Sequence, residues 1–449
     1  MIRIDGRRAL VRGVVAFTLS IWASAWAAPP DLLDVYHAAQ ASDPKLRAAQ
    51  ATLEIARQKL PEARAALMPV VALNGNMGST QGATQFSGTP IIDRDANAHA
   101  WTLQLTHPLF HLDSLLANRQ VDFVIAAAEA QYEQARQDLI VRVAQAYFAI
   151  NEAHDAIAAA DVQITALTEQ LGQVTQGIKF GTKSRTDADD TSTRLGSARA
   201  QRVAAQNDLE NAQSDLEQIT GSLYAAIAPL APSATLVRPE PMDVHAWVDQ
   251  ARDNQPQVRA EIAALEVARY DVQRAQSGHL PTVDFVVSSG HSFSSHSLTT
   301  PDDYSTHAIQ HQASIQVTVP LFAGGAVVTK VAQARGNLDK TDAELDGARR
   351  NAASDAQRAF AGVTGALAQV DALDIAVKSG LDAVKGNEAG FRVGVRTNVD
   401  VLNAQQQLYV AQRDLSKARH EALLQGIKLK AAAGILGEDD LRTLNALFH

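Results

Sequence analysis

The sequence predicts a membrane protein of mixed α and β class. Each chain contributes four strands to a β-barrel shared by three chains, twelve strands in all, and continues into long coiled-coil helices. Three observations carry this prediction. Residues 109–228 and 321–449 contain no proline, four short stretches alternate apolar with polar residues, and the chain repeats itself at an offset of 212 residues.

The N-terminus comes first. Arg3, Arg7, Arg8 and Arg12 stand against one acid, Asp5, and an apolar run follows from Gly13 to Trp26. Ala25-Trp26-Ala27 supplies a small-x-small cleavage pattern, so residues 1–27 read as a signal peptide and the exported chain begins near Ala28. The run is too short to span about 30 Å of hydrocarbon as a permanent anchor. Without it the chain keeps 36 basic residues against 48 acidic ones, a balance of −12. That balance argues against a nucleic-acid partner, which is held by Lys and Arg on phosphates. Cysteine is absent, so no disulfide framework and no thiolate metal site is available. No run of about 20 apolar residues follows residue 30, and membrane insertion is therefore expected to use strands.

The proline-free stretches predict helices, because proline in a helix interior costs about 3 kcal/mol. In the first stretch Leu139, Val143, Ala146, Ile150, Ala153, Ile157, Ala160, Ile164, Leu167, Leu171, Val174 and Ile178 step by four and three. Such a seam, repeating every 3.5 residues, lets helices supercoil around each other. In the second stretch Val363, Val370, Val377, Val384 and Phe391 keep the sevenfold spacing. Helices of about 60 residues would be roughly 90 Å long.

The strands alternate. Val71, Leu73 and Met77 oppose Ala72, Asn74 and Asn76, while Trp101, Leu103 and Leu105 oppose Thr102, Gln104 and Thr106. Val283, Phe285 and Val287 oppose Asp284 and Ser288, and Ile315, Val317 and Val319 oppose Gln316 and Thr318. Such strands suit a barrel with lipid outside and water inside. Loops are expected at about residues 80–97 and 289–310. "LQLTHPLF" (103–110) and "IQVTVPLF" (315–322) each mark a strand leaving the barrel, with the proline at the change of direction. Residues 43–71 align without gaps on 255–283, Gly177 and Gly181 match Gly390 and Gly394, and Gly221 matches Gly434. The chain thus divides into a first repeat (28–222), a Pro-rich linker (223–246) and a second repeat (247–449). Four strands cannot close a barrel, since about eight is the minimum, whereas three chains would supply twelve.

Other chemistry is sparse. His307 and His311 are four apart with His291 and His296 nearby, but in a loop that spacing does not build a zinc site. No nucleophile motif, phosphate loop or Ser/His/Asp arrangement stands out, so neither an enzyme nor a cofactor is expected. A diffusion porin would need more strands and fewer helices. A soluble periplasmic coiled-coil adaptor or scaffold of an export system would lack apolar outer strand faces.

One stretch, "AGFRVGVRTNVDVLNAQQQLYVAQRDLSKAR" (389–419), resembles the corresponding segment of the TolC-type outer-membrane efflux and secretion channel family. "FGTKSRTDADD" (180–190), "HLPTVDF" (279–285) and "PLFAGG" (320–325) match that family's patterns too. The resemblance implies a homotrimeric exit duct set in outer-membrane lipid, its twelve-stranded β-barrel continued across the periplasm by a long α-helical coiled-coil barrel. It implies docking, through the hairpin turns at Gly181 and Gly394, to a periplasmic adaptor and an inner-membrane ABC or proton-driven transporter. It also implies a periplasmic gate at Thr186, Asp187, Phe391 and Arg396, with Arg396 opposite Asp187 and Thr186. The family's tyrosine is Phe391 here, which lacks the hydroxyl. Of the two aspartates that ring the family's constriction, Asp400 keeps the first and Asn403 replaces the second.

Overall fold

The computed structural model describes residues 29–231, 236–296, 298 and 304–448. The expected signal peptide lies outside them. Two short helices open each repeat: α1 (Leu32–Ser42) and α2 (Pro44–Ala65) in the first, α5 (Val244–Asn254) and α6 (Pro256–Ser277) in the second. The junctions are alike. Asp43 accepts from the Leu46 N–H at 2.8 Å and Gln255 from the Val258 N–H at 3.1 Å. Pro44 and Pro256 follow at the first helical position, where the missing N–H has no partner to lose.

The strand pairs come next, β1 (Val70–Thr84) with β2 (Ile92–Phe110), and β3 (Thr282–Ser294) with β4 (Thr306–Thr318). They join into one antiparallel sheet in the order β1-β2-β3-β4. Both outer strands leave an edge unpaired within the chain, as expected for a barrel that other chains must complete. Two expectations need correction. The strands run on into the stretches assigned to loops, because Thr80 pairs with Ala96 and Ser294 with Thr306. Strand pairing is made by backbone groups, so polar side chains beyond an apolar belt do not end it. The two "PLF" sites also differ. The first proline sits within β2 at a register slip between Pro108 and Phe110, whereas β4 ends before Pro320.

The long helices follow. α3 (Leu112–Lys179) has 68 residues and α7 (Ala326–Arg392) has 67, each about 100 Å long. They turn back as α4 (Arg185–Thr220) and α8 (Asn398–Ala432). Leu139, Val143, Ala146, Ile150, Ala153, Ala160, Leu167 and Val174 of the predicted seam are buried. Nearer the sheet, α6 lies between α3 and α7, and Gln120 of α3 donates to Val267 O at 2.9 Å and Asp271 Oδ1 at 2.7 Å. Nearer the turns, α4 pairs with α3 and α8 with α7. One window of α7 is long and apolar enough to cross a membrane by length and composition, which corrects the expectation that no such run follows residue 30. The apolar content is that of a coiled-coil helix rich in Ala and Val, and most of that window is uncovered in a single chain.

The largest core sits halfway along α3. Leu139, Val143, Tyr147 and Ile150 meet Tyr36 of α1, Leu216 of α4, Ile227 of the linker and Ile427 of α8. Leu441 of α9 (Glu438–Asn445), a helix the sequence reading did not anticipate, closes the cluster. Tyr147 donates to Ala228 O at 2.8 Å, and Ala231 N–H donates to Leu447 O at 3.0 Å, so the linker is tied to helix and C-terminus alike.

Candidate functional site

The hairpin turns are two copies of one device, "GIKFGTKSRTD" (177–187) and "GFRVGVRTNVD" (390–400). Each long helix ends on a left-handed glycine, Gly181 at φ 71° and Gly394 at φ 79°. Their N–H groups donate to Ile178 O and Phe391 O at 3.0 and 3.1 Å. The returning helix then starts on a reciprocal cap. Ser184 Oγ accepts from the Asp187 N–H at 3.1 Å, and Asp187 Oδ2 accepts from the Ser184 N–H at 3.1 Å. In the second copy Thr397 Oγ1 accepts from the Asp400 N–H at 3.2 Å, and Asp400 Oδ2 accepts from the Thr397 N–H at 2.9 Å. The expected gate residue Asp187 and the expected ring residue Asp400 thus hold the same position in the two repeats. Each carboxylate also faces the positive end of its helix. Hydrogen bonds from the Thr397 N–H and hydroxyl hold the Asp400 carboxyl below its ordinary range.

The cations also correspond. A Cβ on Gly177 would lie 2.5 Å from Lys183 Cγ, and one on Gly390 would lie 2.6 Å from Arg396 Cγ. The absence of a side chain there lets both stems lie across the last turn of the preceding helix. Lys183 then extends to the other hairpin, placing Nζ 3.7 Å from the centroid of the Phe391 ring. Among the described residues of one chain no hydrogen bond or ion pair joins Arg396 to Asp187 or Thr186. Arg396 and Thr186 are exposed, and the Phe391 ring is half-buried.

Behind the turns the two hairpins are joined by polar contacts that include no ion pair. Arg194 of α4 donates to Asn403 Oδ1 at 2.7 Å and to Leu402 O at 3.3 Å. Gln170 donates to Asn398 Oδ1 at 2.7 Å, and Gln163 donates to Gln406 Oε1 at 2.8 Å. Leu167, Leu195, Ala198 and Leu402 pack beside them. Lys183, Arg194 and the amides other than Asn403 were missed from sequence. Lys183 alone had a signal, its alignment with Arg396.

Farther up, Asp155 Oδ2 accepts from Ser416 Oγ and lies 3.2 Å from Nε2 of the buried His420. The fold therefore brings together a Ser, a His and an Asp that the sequence had not suggested. Serine and histidine both meet the same carboxylate oxygen and not each other, so the imidazole is not set against the hydroxyl as its base. Burial raises the Asp155 carboxyl, but the bonds from His420 and Ser416 prevail and hold it below its ordinary range. The group ties α8 to α3.

The sheet separates its chemistry by face. Ala72, Gln104, Ser288 and Gln312 share one row, and Asn74, Thr102, Gly290 and Gln310 the next, all uncharged. The opposite face carries Val71, Leu73, Trp101, Leu103, Ile315 and Val317, every one of them exposed in a single chain.

Comparison with known proteins agrees with this arrangement. Residues 35–222 and 247–435 match the outer membrane efflux protein family. The chain is 30% identical over 423 residues to outer membrane protein TolC of Escherichia coli, covering 92% of this chain and 84% of that protein. It is 32% identical over 423 residues to alkaline protease secretion protein AprF of Pseudomonas aeruginosa, covering 93% of this chain and 87% of that one. The crystal structure of outer membrane protein VceC from Vibrio cholerae has the same fold. It superposes with a TM-score of 0.75 at 19% identity, over 90% of this chain and 96% of that one.

Proposed function

This chain belongs to the outer membrane efflux protein family, and we infer that it is an exit duct of the outer membrane that extends into the periplasm. The observation that carries this reading is the sheet. It is apolar on one face, mostly polar on the other, and among the described residues unpaired at both edges. Its strands lead directly into helices about 100 Å long. Three such sheets close twelve strands around a water-filled passage, and the helical hairpins continue that passage into the periplasm.

The hairpin turns, marked by Gly181 and Gly394, are the ends that meet a periplasmic adaptor and an inner-membrane transporter of the ABC or proton-driven type. Likeness to AprF, named for alkaline protease secretion, favours type I export of a protein as the cargo. Multidrug efflux is the second reading, carried by the family description. At rest Arg396 reaches Asp187 and Thr186 of a neighbouring chain. The Asp187 carboxylate retains acceptor capacity beyond its cap bonds, since an ionised carboxylate offers about four lone-pair sites. Asp400, repeated around the axis, forms a ring of carboxylates with Asn403 beyond it. A cleaved signal peptide at residues 1–27 delivers the chain.

The test is reconstitution. Protein extracted in detergent is expected to have the mass of three chains and to open ion-conducting channels in planar bilayers. A monodisperse single chain in detergent, or a trimer that never conducts, would overturn the reading.

A further inference from the structure

The outward face of the sheet carries side chains that passage through the duct does not use. Strand register sets Met77, His99, Phe293 and His307 in one row across the four strands. The next row toward the helices holds Gly75, Trp101, His291 and Ile309, and the one after it Leu73, Leu103, Ser289 and His311. The histidines assigned to a loop therefore lie on strands, apart from His296. The rings touch. His99 lies 4.9 Å and His307 4.6 Å from Phe293 between centroids, and His291 lies 6.1 and 6.0 Å from the same two histidines. Among the described residues no three such groups are placed to hold a metal ion.

The position of this band along the strands matters. Below it the same face is apolar through Leu105, Val287 and Ala313 to the row of His107, Phe285 and Ile315. From His99 to His107 is eight residues, roughly 26 Å of strand, which a tilt of about 40° reduces to roughly 20 Å, most of the height of a barrel's lipid-facing belt. The histidines thus sit where the belt ends on the side away from the helices, the level at which such barrels carry an aromatic girdle. Imidazole differs from indole or phenol there, because it changes charge between about pH 5 and 8. On this face His99, His291, His307 and His311 are the titratable groups between His107 and Asp95. Asp95 lies beyond them, bonded by Ser79 Oγ at 3.1 Å, with Asp93 farther out. Arg94 is on the opposite face, over the Phe86 ring. No carboxylate shares the imidazole rows.

We propose that this band binds the phosphate groups of the outer-leaflet lipid. Neutral rings donate N–H bonds to phosphate oxygens, and protonation adds charge attraction. The inference rests on the sheet spanning the outer membrane, as read above. The trimer would present twelve such histidines around the barrel, in three groups separated by the β1 strands. Lipid is the fitting occupant because the band continues the apolar belt without a break and offers ring N–H donors to the anionic headgroups at its rim.

The experiment compares purified trimer incubated with lipid A or with dephosphorylated lipid A, at pH 6 and pH 8, counting retained lipid by native mass spectrometry. Retention of the phosphorylated form is expected to be several-fold higher at pH 6 than at pH 8, and the dephosphorylated form to show no pH response. The combined His99→Gln, His291→Gln, His307→Gln and His311→Gln variant is expected to lose that response while conducting normally in phosphatidylcholine bilayers. Equal retention of the two lipids, or a pH response that survives the quadruple substitution, would overturn the proposal. The wild-type comparison decides the matter even if the variant does not assemble. Loss of conduction by the wild type would count against the exit-duct reading instead.

Discussion

Lys183 ties the two hairpin turns of one chain together through the face of Phe391. A cation–π contact at an exposed site is worth about 0.5–1 kcal/mol, and an exposed ion pair such as that assigned to Arg396 about 0–1 kcal/mol. Neither would hold a passage shut alone. Three copies of both reach a few kcal/mol, enough to favour closure and within reach of a docking partner. Lys183→Ala and Arg396→Ala are each expected to raise single-channel conductance, with Lys183→Arg close to wild type. Unchanged conductance in both alanine variants, with trimers intact, would remove these residues from the gate. A second residue sets stability. Asp43, fully buried, meets Arg142 through two bonds of 3.0 and 2.9 Å. Burial raises its carboxyl, but the bonds from Arg142 and the Leu46 N–H outweigh it and hold it below its ordinary range. A depressed carboxyl stabilises the fold above its unfolded pKa and loses that contribution as pH falls through the folded one. Asp43→Ala, which breaks a buried pair, is expected to cost about 3–5 kcal/mol near pH 7. The difference in melting temperature from wild type should shrink toward pH 3. At this scale the sequence was partly legible. Resemblance pointed to Phe391 as a lost contact because only its missing hydroxyl is visible in letters. That its ring is used through its face depends on Lys183 crossing between hairpins, which no spacing encodes.

The helices and strands were legible to different degrees. Helix packing is written in side chains, so the seam from Leu139 to Val174 predicted which face of α3 is buried. Strand ends are written in backbone bonds, and Thr80–Thr84 and Thr306–Gln310 pair although their side chains are mostly polar. Helix α9, eight residues long with Leu441 alone buried, was too short to register against its acidic first turn, Glu438, Asp439 and Asp440. The hairpin between β1 and β2 and the turn between α3 and α4 lie at opposite ends of the molecule, which gives a test of orientation. The chain has no cysteine, so a cysteine at Ser87 or at Thr182 is the sole thiol. An impermeant maleimide on whole cells is expected to label the Ser87→Cys protein and to spare Thr182→Cys until the outer membrane is breached. The reverse pattern would invert the topology.

At the scale of the whole molecule, surfaces left open in one chain call for other chains. Val162, Val203 and Ile375 on the long helices are more than half exposed, at 72, 59 and 65%, although they belong to coiled-coil segments. Burying such side chains contributes about 1.5–3 kcal/mol each, so a neighbour covering them gains considerably. Ile375→Asp is expected to lower the temperature at which detergent-extracted trimers dissociate, measured by mass or by gel mobility. A dissociation temperature equal to wild type would place Ile375 away from any contact between chains. The open edges of β1 and β4 have a different consequence, one that belongs to genetics. Because a barrel closes only when every edge finds its partner, a chain with a defective β4 spoils each assembly it enters. Equal dosage of wild-type and edge-defective alleles would leave only about one assembly in eight free of the defect. Such alleles should therefore act dominantly, and a cell carrying one beside the wild-type gene should lose most of its export while still making half its protein correctly.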